Sequence, residues 1–150
     1  MASTASVTTT RKINVSPHLA LAYIHDTERL IRLNPLVTAV EKTAKENTWR
    51  VTDRIKLLGF IPYNTHYEIF ASLLPDGSDI TVTAALGIRS FSKWRVITEE
   101  GQGAECTVTE EASISAPKFL LPFVRGTLKE SHEQMQERME KELLEDASRA

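Results

Sequence analysis

The fold prediction rests mainly on residues 121–145, whose sequence is LPFVRGTLKESHEQMQERMEKELLE. Apolar side chains recur in it at helical spacing, with glutamates and lysines between them, so it predicts one long amphipathic helix ending near Glu145. Pro122 and Gly126 fall in the first turns, where we expect a kink or a late start. The apolar stripe consists of Leu121, Val124, Leu128, Met135, Met139 and Leu143.

The chain before this helix is dominated by strand patterns that alternate with turn signals. A first strand is expected at 7–15, and a helix follows it, with Ser16 as the N-cap and Pro17 at the first helical position. This helix is expected to end at Asn34, because the residue before a proline is pushed out of the helical region. Six further strands are predicted at 36–44, 48–57, 63–74, 79–86, 90–98 and 104–115.

Two connections between these strands carry recognisable turn signals. The tetrad 75–78, Pro-Asp-Gly-Ser, is typical of a tight turn. The glycines at 101 and 103 lie between two strands, so we interpret them as part of a hairpin turn and not as a phosphate-binding loop. The six strands are therefore expected to be consecutive and antiparallel.

Composition excludes several classes of protein. The 150 residues are 41% hydrophobic and 25% charged with a formal net charge of −2, which is typical of one globular domain and argues against a nucleic-acid-binding protein. Cys106 is the single cysteine, so no intrachain disulfide can form, and no apolar run approaches the ~18 residues of a membrane span. We expect a single domain over 1–150, with residues 1–5 flexible, in the cytoplasm.

An antiparallel sheet with one apolar face needs that face covered, and the C-terminal helix is the only predicted element large enough. With this order of elements, the chain resembles the helix-grip (SRPBCC) superfamily, which includes birch-pollen-allergen-like proteins, START lipid-transfer domains and aromatic polyketide cyclases. Its segment from Ser16-Pro17-His18 through Asp26-Thr27-Glu28-Arg29-Leu30 to Asn34-Pro35 looks most like that of small fungal members of unassigned function.

The resemblance implies an α+β fold in which a seven-stranded curved antiparallel sheet wraps around the long C-terminal helix, with a short helical segment after strand 1. It also implies a cavity between sheet and helix that holds an apolar small molecule. The superfamily has no invariant catalytic residue, so the candidate functional groups have to come from the polar side chains that this sequence places on its apolar faces.

Three titratable residues share a face with apolar neighbours. Asp53 alternates with Val51 and Ile55, Glu110 lies in the corresponding row of the last strand, and His132 falls on the stripe of the final helix. An apolar cavity raises the pKa of a carboxyl group, and a histidine nearby can exchange protons with it near neutral pH. We therefore predict Asp53, Glu110 and His132 as catalytic residues.

Other residues on these faces are candidates for contact with a ligand. Tyr67 and Trp94 are aromatic residues on the apolar faces of their strands, and Tyr23 lies on the apolar side of the first helix. On the final helix, Met135 would provide a pliable wall. The predicted ligand-binding set is Tyr23, Tyr67, Trp94, Leu128, Met135 and Met139.

Three functions are compatible with these residues, of which the third is an interaction module whose C-terminal helix dimerises. The first is a cofactor-independent cyclase, isomerase or dehydratase of secondary metabolism, acting on a polyketide- or terpenoid-type substrate; the second is a non-catalytic carrier or sensor of a lipid, sterol or hormone. No cofactor and no metal are expected, since His18 and His25 would stand ~10 Å apart on one helix. The predicted partner is an apolar small molecule, without nucleic acid or stable membrane insertion, in a monomer or homodimer.

Overall fold

The computed structural model describes residues 2–57, 60–98 and 105–149, so the predicted hairpin turn at 99–103 lies outside the described residues. Strands and helices follow in the predicted order. Their bounds are β1 (Ala2–Ile13), α1 (Pro17–His25), α2 (Thr27–Ile31), β2 (Val37–Lys42), β3 (Thr48–Leu57), β4 (Ile61–Leu74), β5 (Gly77–Ala84), β6 (Arg89–Ile97), β7 (Cys106–Pro117) and α3 (Leu121–Arg149), with one 3-10 turn at Ala85–Gly87 between β5 and β6.

The strands form one curved antiparallel sheet in the order β1-β7-β6-β5-β4-β3-β2. Each strand from β2 to β7 pairs with its neighbour in sequence, and β1 closes the series by pairing with β7 from Ala2 opposite Pro117 to Ile13 opposite Cys106. With the 29-residue α3, this arrangement confirms the predicted α+β helix-grip fold.

The core lies between the concave face of the sheet and the helices. Val51 and Val108 from the sheet and Met139 and Leu143 from α3 are almost completely buried in it. The two-residue period of a strand alternates these inward side chains with exposed ones such as Arg50. The side chains predicted to face inward from β3 and β7 do face the core in the structure.

Most of the predicted boundaries shift by one to three residues in the structure, and three features differ more. The first helix is broken at Asp26, whose side chain accepts a hydrogen bond from the Arg29 amide and so starts α2 as a separate helix. Strand β1 starts at Ala2 instead of Val7, because β7 offers it an antiparallel partner as far as Pro117. Helix α3 continues to Arg149, beyond Glu145. Pairing in a structure gives no measure of motion, so the flexibility expected for residues 1–5 stays a prediction.

Three connections between elements lie at one end of the sheet. There β3 leads to β4 past Phe60, β5 leads to β6 through Leu86, and β7 leads to α3 past Phe119. Because all the strands are antiparallel, these three connections lie at the same end, which we call the open end. No helix in the described part of the chain is both long and apolar enough to cross a membrane.

Candidate functional site

A cavity of about 540 Å³ lies between the concave face of the sheet and α3. It reaches the surface at the open end, where Tyr63, Leu86 and Phe123 belong to its lining and are themselves exposed. This volume is within the range of sites that enclose drug-sized molecules. Its apolar wall includes Leu30, Ile31, Ile55, Ile69, Ile80, Val82, Ile88, Ile114, Val124, Leu128 and Met135.

Glu110 and His132 form a pair in the wall of this cavity. Glu110 Oε2 of β7 lies 2.6 Å from His132 Nδ1 of α3, and the side chains are 1% and 13% exposed. The contact has the distance of an ion pair but not the alignment of a hydrogen bond, and neither atom has a hydrogen-bond partner among the described residues. Both atoms therefore keep hydrogen-bonding capacity that is available to a ligand in the cavity.

A short polar chain extends this pair across the sheet. Thr9 lies directly opposite Glu110 in the β1–β7 register, with its hydroxyl 3.5 Å from Glu110 Oε1. The amide of buried Gln136 in turn donates to the Thr9 hydroxyl over 3.3 Å. Neither Thr9 nor Gln136 was among the predicted site residues. The available signals were the inward face that Thr9 shares with Ile13 and the four-residue spacing of Gln136 from His132 on one helix face.

Asp53 and Tyr67 form a second polar pair in the cavity lining. The Tyr67 hydroxyl donates a hydrogen bond of 2.6 Å to Asp53 Oδ1 between the neighbouring strands β3 and β4. Burial raises the pKa of Asp53 above the usual aspartate range, although the Tyr67 hydrogen bond acts in the opposite direction. Burial, together with the carboxylate of Asp53, also raises the pKa of the Tyr67 hydroxyl. The pair therefore favours the protonated forms of both groups.

Several predicted ligand-binding residues lie in the same cavity. Trp94 is 2% exposed and stands beside Glu110 in the register of β6 and β7. Leu128 and Met135 face the cavity from α3, on either side of His132 along the helix. Tyr67 and Trp94 consequently belong to the same enclosure as the two polar pairs.

Tyr23 and Met139 lie elsewhere. The Tyr23 hydroxyl donates to Glu142 Oε1 over 3.1 Å, and the Arg29 guanidinium stacks on the Tyr23 ring at 4.2 Å. Burial, followed by the charge of Glu142, raises the pKa of Tyr23. Met139 is fully buried in the core. The structure thus places both residues in the packing between helices and sheet and not in the cavity wall.

The described residues 2–57, 60–98 and 105–149 contain no cluster of three or more His, Cys, Asp or Glu side chains arranged to hold a metal ion. The Glu110–His132 pair contains two potential metal-ligating side chains, and the Asp53–Tyr67 pair on other strands contains one. That the site needs neither metal nor cofactor stays a prediction.

Solved structures share this fold at low sequence identity. A conserved protein from Geobacillus kaustophilus aligns with a TM-score of 0.75 and 9% identity, over 94% of this chain and 96% of that one. The ZhuI aromatase/cyclase from Streptomyces sp. R1128 aligns with a TM-score of 0.65 and 15% identity, over 98% and 95% of the two chains. A START superfamily protein from Mycobacterium smegmatis aligns with a TM-score of 0.65 and 13% identity, over 93% and 97%.

At these identities the likeness shows the fold alone, and it agrees with the helix-grip architecture described above. No curated protein matches the sequence significantly. A family model does match residues 3–145, which is nearly the whole chain, and its description is "Domain of unknown function (DUF7053)". The chain therefore belongs to the DUF7053 family.

Proposed function

We propose that this protein binds an apolar small molecule in its cavity and acts on it as a cofactor-independent cyclase, isomerase or dehydratase of secondary metabolism. The observation that carries the proposal is the Glu110–His132 pair, which lies in the wall of an otherwise largely apolar cavity. The likeness to an aromatase/cyclase supports the proposal only in that a protein with a similar fold is an enzyme of this kind.

The proposed chemistry starts with proton abstraction next to a ketone. The imidazole of His132, oriented by the carboxylate of Glu110, removes the proton from the α-carbon of the substrate. The electron pair of that C–H bond forms the C=C bond of an enol, while the carbonyl oxygen receives a proton from Asp53, whose raised pKa suits a donor. The enol carbon then attacks a second carbonyl carbon of the same molecule, the enol hydroxyl returns its proton to Asp53, and protonated His132 gives its proton to the new alkoxide. Departure of that hydroxyl together with a proton from the adjacent carbon, as water, completes a dehydrating ring closure.

The surroundings of the two pairs favour this reaction. The wall around the pairs is largely apolar, and fixed dipoles in apolar surroundings stabilise developing charge more strongly than water-screened ones do. Trp94 beside Glu110 offers a flat surface for a planar or unsaturated ligand. The Thr9 hydroxyl, which accepts a hydrogen bond from Gln136, donates to Glu110 Oε1 and leaves Oε2 on the side of His132.

The test is hydrogen–deuterium exchange at the α-carbon of an apolar ketone. β-Tetralone, a bicyclic aromatic ketone, is incubated with the protein in D₂O, and deuterium uptake is followed by mass spectrometry. We expect exchange faster than in buffer, and a loss of about 100-fold or more in Glu110→Gln and His132→Gln. His18→Gln, which changes an exposed histidine of α1, is the matched control and should keep the full rate.

A carrier or sensor is the second candidate, because most of the cavity wall is apolar and the cavity opens directly to the surface. Native mass spectrometry of protein purified gently from its own host separates the two functions. A bound metabolite that the protein leaves unchanged, together with no exchange of β-tetralone or of other ketones that bind, would contradict the enzyme. A metabolite that the wild type converts and His132→Gln does not would exclude a pure carrier.

A further inference from the structure

The open end carries a cluster of protruding apolar side chains. The five most exposed large apolar side chains of the described residues all lie there, and Phe119, Phe60 and Leu86 are 80%, 73% and 73% exposed. Ordinary folding leaves single apolar residues scattered on a surface, whereas a contiguous group indicates a contact site. We call this group the apolar rim; its members are Phe60, Tyr63, Leu86, Phe119 and Phe123.

The apolar rim surrounds the mouth of the cavity. Tyr63 lies at the start of β4, Leu86 in the 3-10 turn between β5 and β6, and Phe123 in the first turn of α3, and all three also belong to the cavity lining. Phe60 and Phe119 extend the same group beyond the lining, at the β3–β4 and β7–α3 connections. Whatever covers the rim therefore also covers the route into the cavity.

The charges around the apolar rim have one sign. Segments 54–63, 84–90 and 115–125 contain five basic residues and no aspartate or glutamate, although the whole chain has a net charge of −2. All five are exposed, and the ion pairs found within 2–57, 60–98 and 105–149 do not include them. Two acidic residues lie just outside these segments, namely Asp53 in the cavity lining and Glu130, which lines a small cleft together with Lys56. The five are Arg54, Lys56, Arg89, Lys118 and Arg125.

This combination fits one kind of partner. A second copy of the chain would face the rim with the same five positive charges, so repulsion opposes a symmetric dimer through it. The rim side chains project from separate parts of the open end. Projecting side chains of this kind insert into a deformable lipid interface more readily than they form a pocket for a folded protein. Apolar side chains that insert among lipid headgroups, with basic residues beside them, are the combination that binds anionic bilayers.

We propose that the open end docks on the surface of an anionic lipid bilayer, with the apolar rim inserted among the headgroups and the five basic side chains on the anionic lipids. The docking is peripheral and reversible. It brings the cavity mouth against the bilayer, so that an apolar ligand can move between membrane and cavity without crossing water. This last step rests on the proposed ligand binding, whereas the docking does not.

The test is co-sedimentation with vesicles of phosphatidylcholine containing about 30% phosphatidylserine, compared with vesicles of phosphatidylcholine alone. We expect binding to the anionic vesicles that weakens at high salt. The double variants Lys118→Glu/Arg125→Glu and Phe60→Ser/Phe119→Ser should each weaken it about tenfold or more. Lys141→Glu and Leu144→Ser, which change exposed residues on the last turns of α3, are the matched controls and should bind as the wild type does.

A second measurement does not depend on the rim variants folding well. The Phe119→Trp variant places a fluorophore on the rim, and its emission should shift to the blue and be quenched by brominated lipids when anionic vesicles are added. Equal binding to both kinds of vesicle, no binding at all, or an unshifted emission from this variant would overturn the proposal. Capture by an acidic soluble protein without vesicle binding would identify a different partner and would also overturn it. Since His132→Gln leaves the rim intact, its vesicle binding should be unchanged even if the proposed chemistry is wrong.

Discussion

His132 Nδ1 of α3 lies 2.6 Å from Glu110 Oε2 of β7, which joins the final helix to the last strand through the wall of the cavity. Twenty-one residues separate the two along the chain, and the turn after β7 folds the helix back over the strand from which it departs. The contact is therefore both a structural link and the centre of the proposed chemistry.

This link should appear as coupling in stability. Removal of one partner from a buried pair leaves the other uncompensated, so His132→Ala should cost about 3 kcal/mol of unfolding free energy at neutral pH. Adding Glu110→Gln should then cost less than it does in the wild type, because the double variant has no buried carboxylate to solvate. Urea denaturation of the four proteins measures the cycle. Additive costs would show that the pair is not coupled.

Asp53→Asn should stabilise the protein at neutral pH. The folded-state pKa of Asp53 is raised by burial, so its contribution to stability is complete below the unfolded-state pKa of about 3.9 and is lost as pH rises through the folded-state value. The neutral amide avoids this loss and can still accept the hydrogen bond of Tyr67. Thermal melts from pH 3 to pH 8 should show an increase in Tm that grows with pH. An unchanged Tm at pH 8 would contradict a raised pKa of Asp53 in the folded protein.

Tyr67→Phe tests the second polar pair from the other side. The Tyr67 hydrogen bond stabilises the ionised form of Asp53, so its removal should raise the pKa of Asp53 further. Carboxyl ¹³C chemical shifts followed against pH should show the Asp53 titration at higher pH in the variant. The matched variant Tyr63→Phe changes an exposed tyrosine of the same strand and should leave the Asp53 titration in place.

Tyr23→Phe should separate stability from ligand binding. The variant loses the hydrogen bond to Glu142 and should cost about 1 kcal/mol of unfolding free energy. Because Tyr23 packs between the helices and not in the cavity wall, the affinity for an apolar fluorescent probe bound in the cavity should stay unchanged. Denaturation and probe titration measure the two effects. A large loss of probe affinity at full stability would place Tyr23 in the binding site after all.

The order of elements and the inward-facing residues of the strands follow from local sequence patterns. Alternation at two residues placed Asp53 and Glu110 inward, and helical spacing placed His132 on the stripe of α3, because both periods are local properties of the backbone. The sequence also identified Pro17 and Ser16 as the start of the first helix. These features depend on residues within one or two turns of each other.

The contacts between side chains from distant parts of the chain depend on the tertiary structure. Thr9 faces Glu110 through a pairing of the first and last strands, which are separated by most of the chain, and no local pattern encodes that register. Likewise, Tyr23 is turned toward Glu142 by the packing of α1 against α3, which excludes it from the cavity. The apolar rim arises in the same way, since three distant connections meet only because the sheet is antiparallel. Sequence periodicity predicts which face of a strand or helix a side chain lies on. Which side chains contact one another across the fold depends on how the sheet curves around α3.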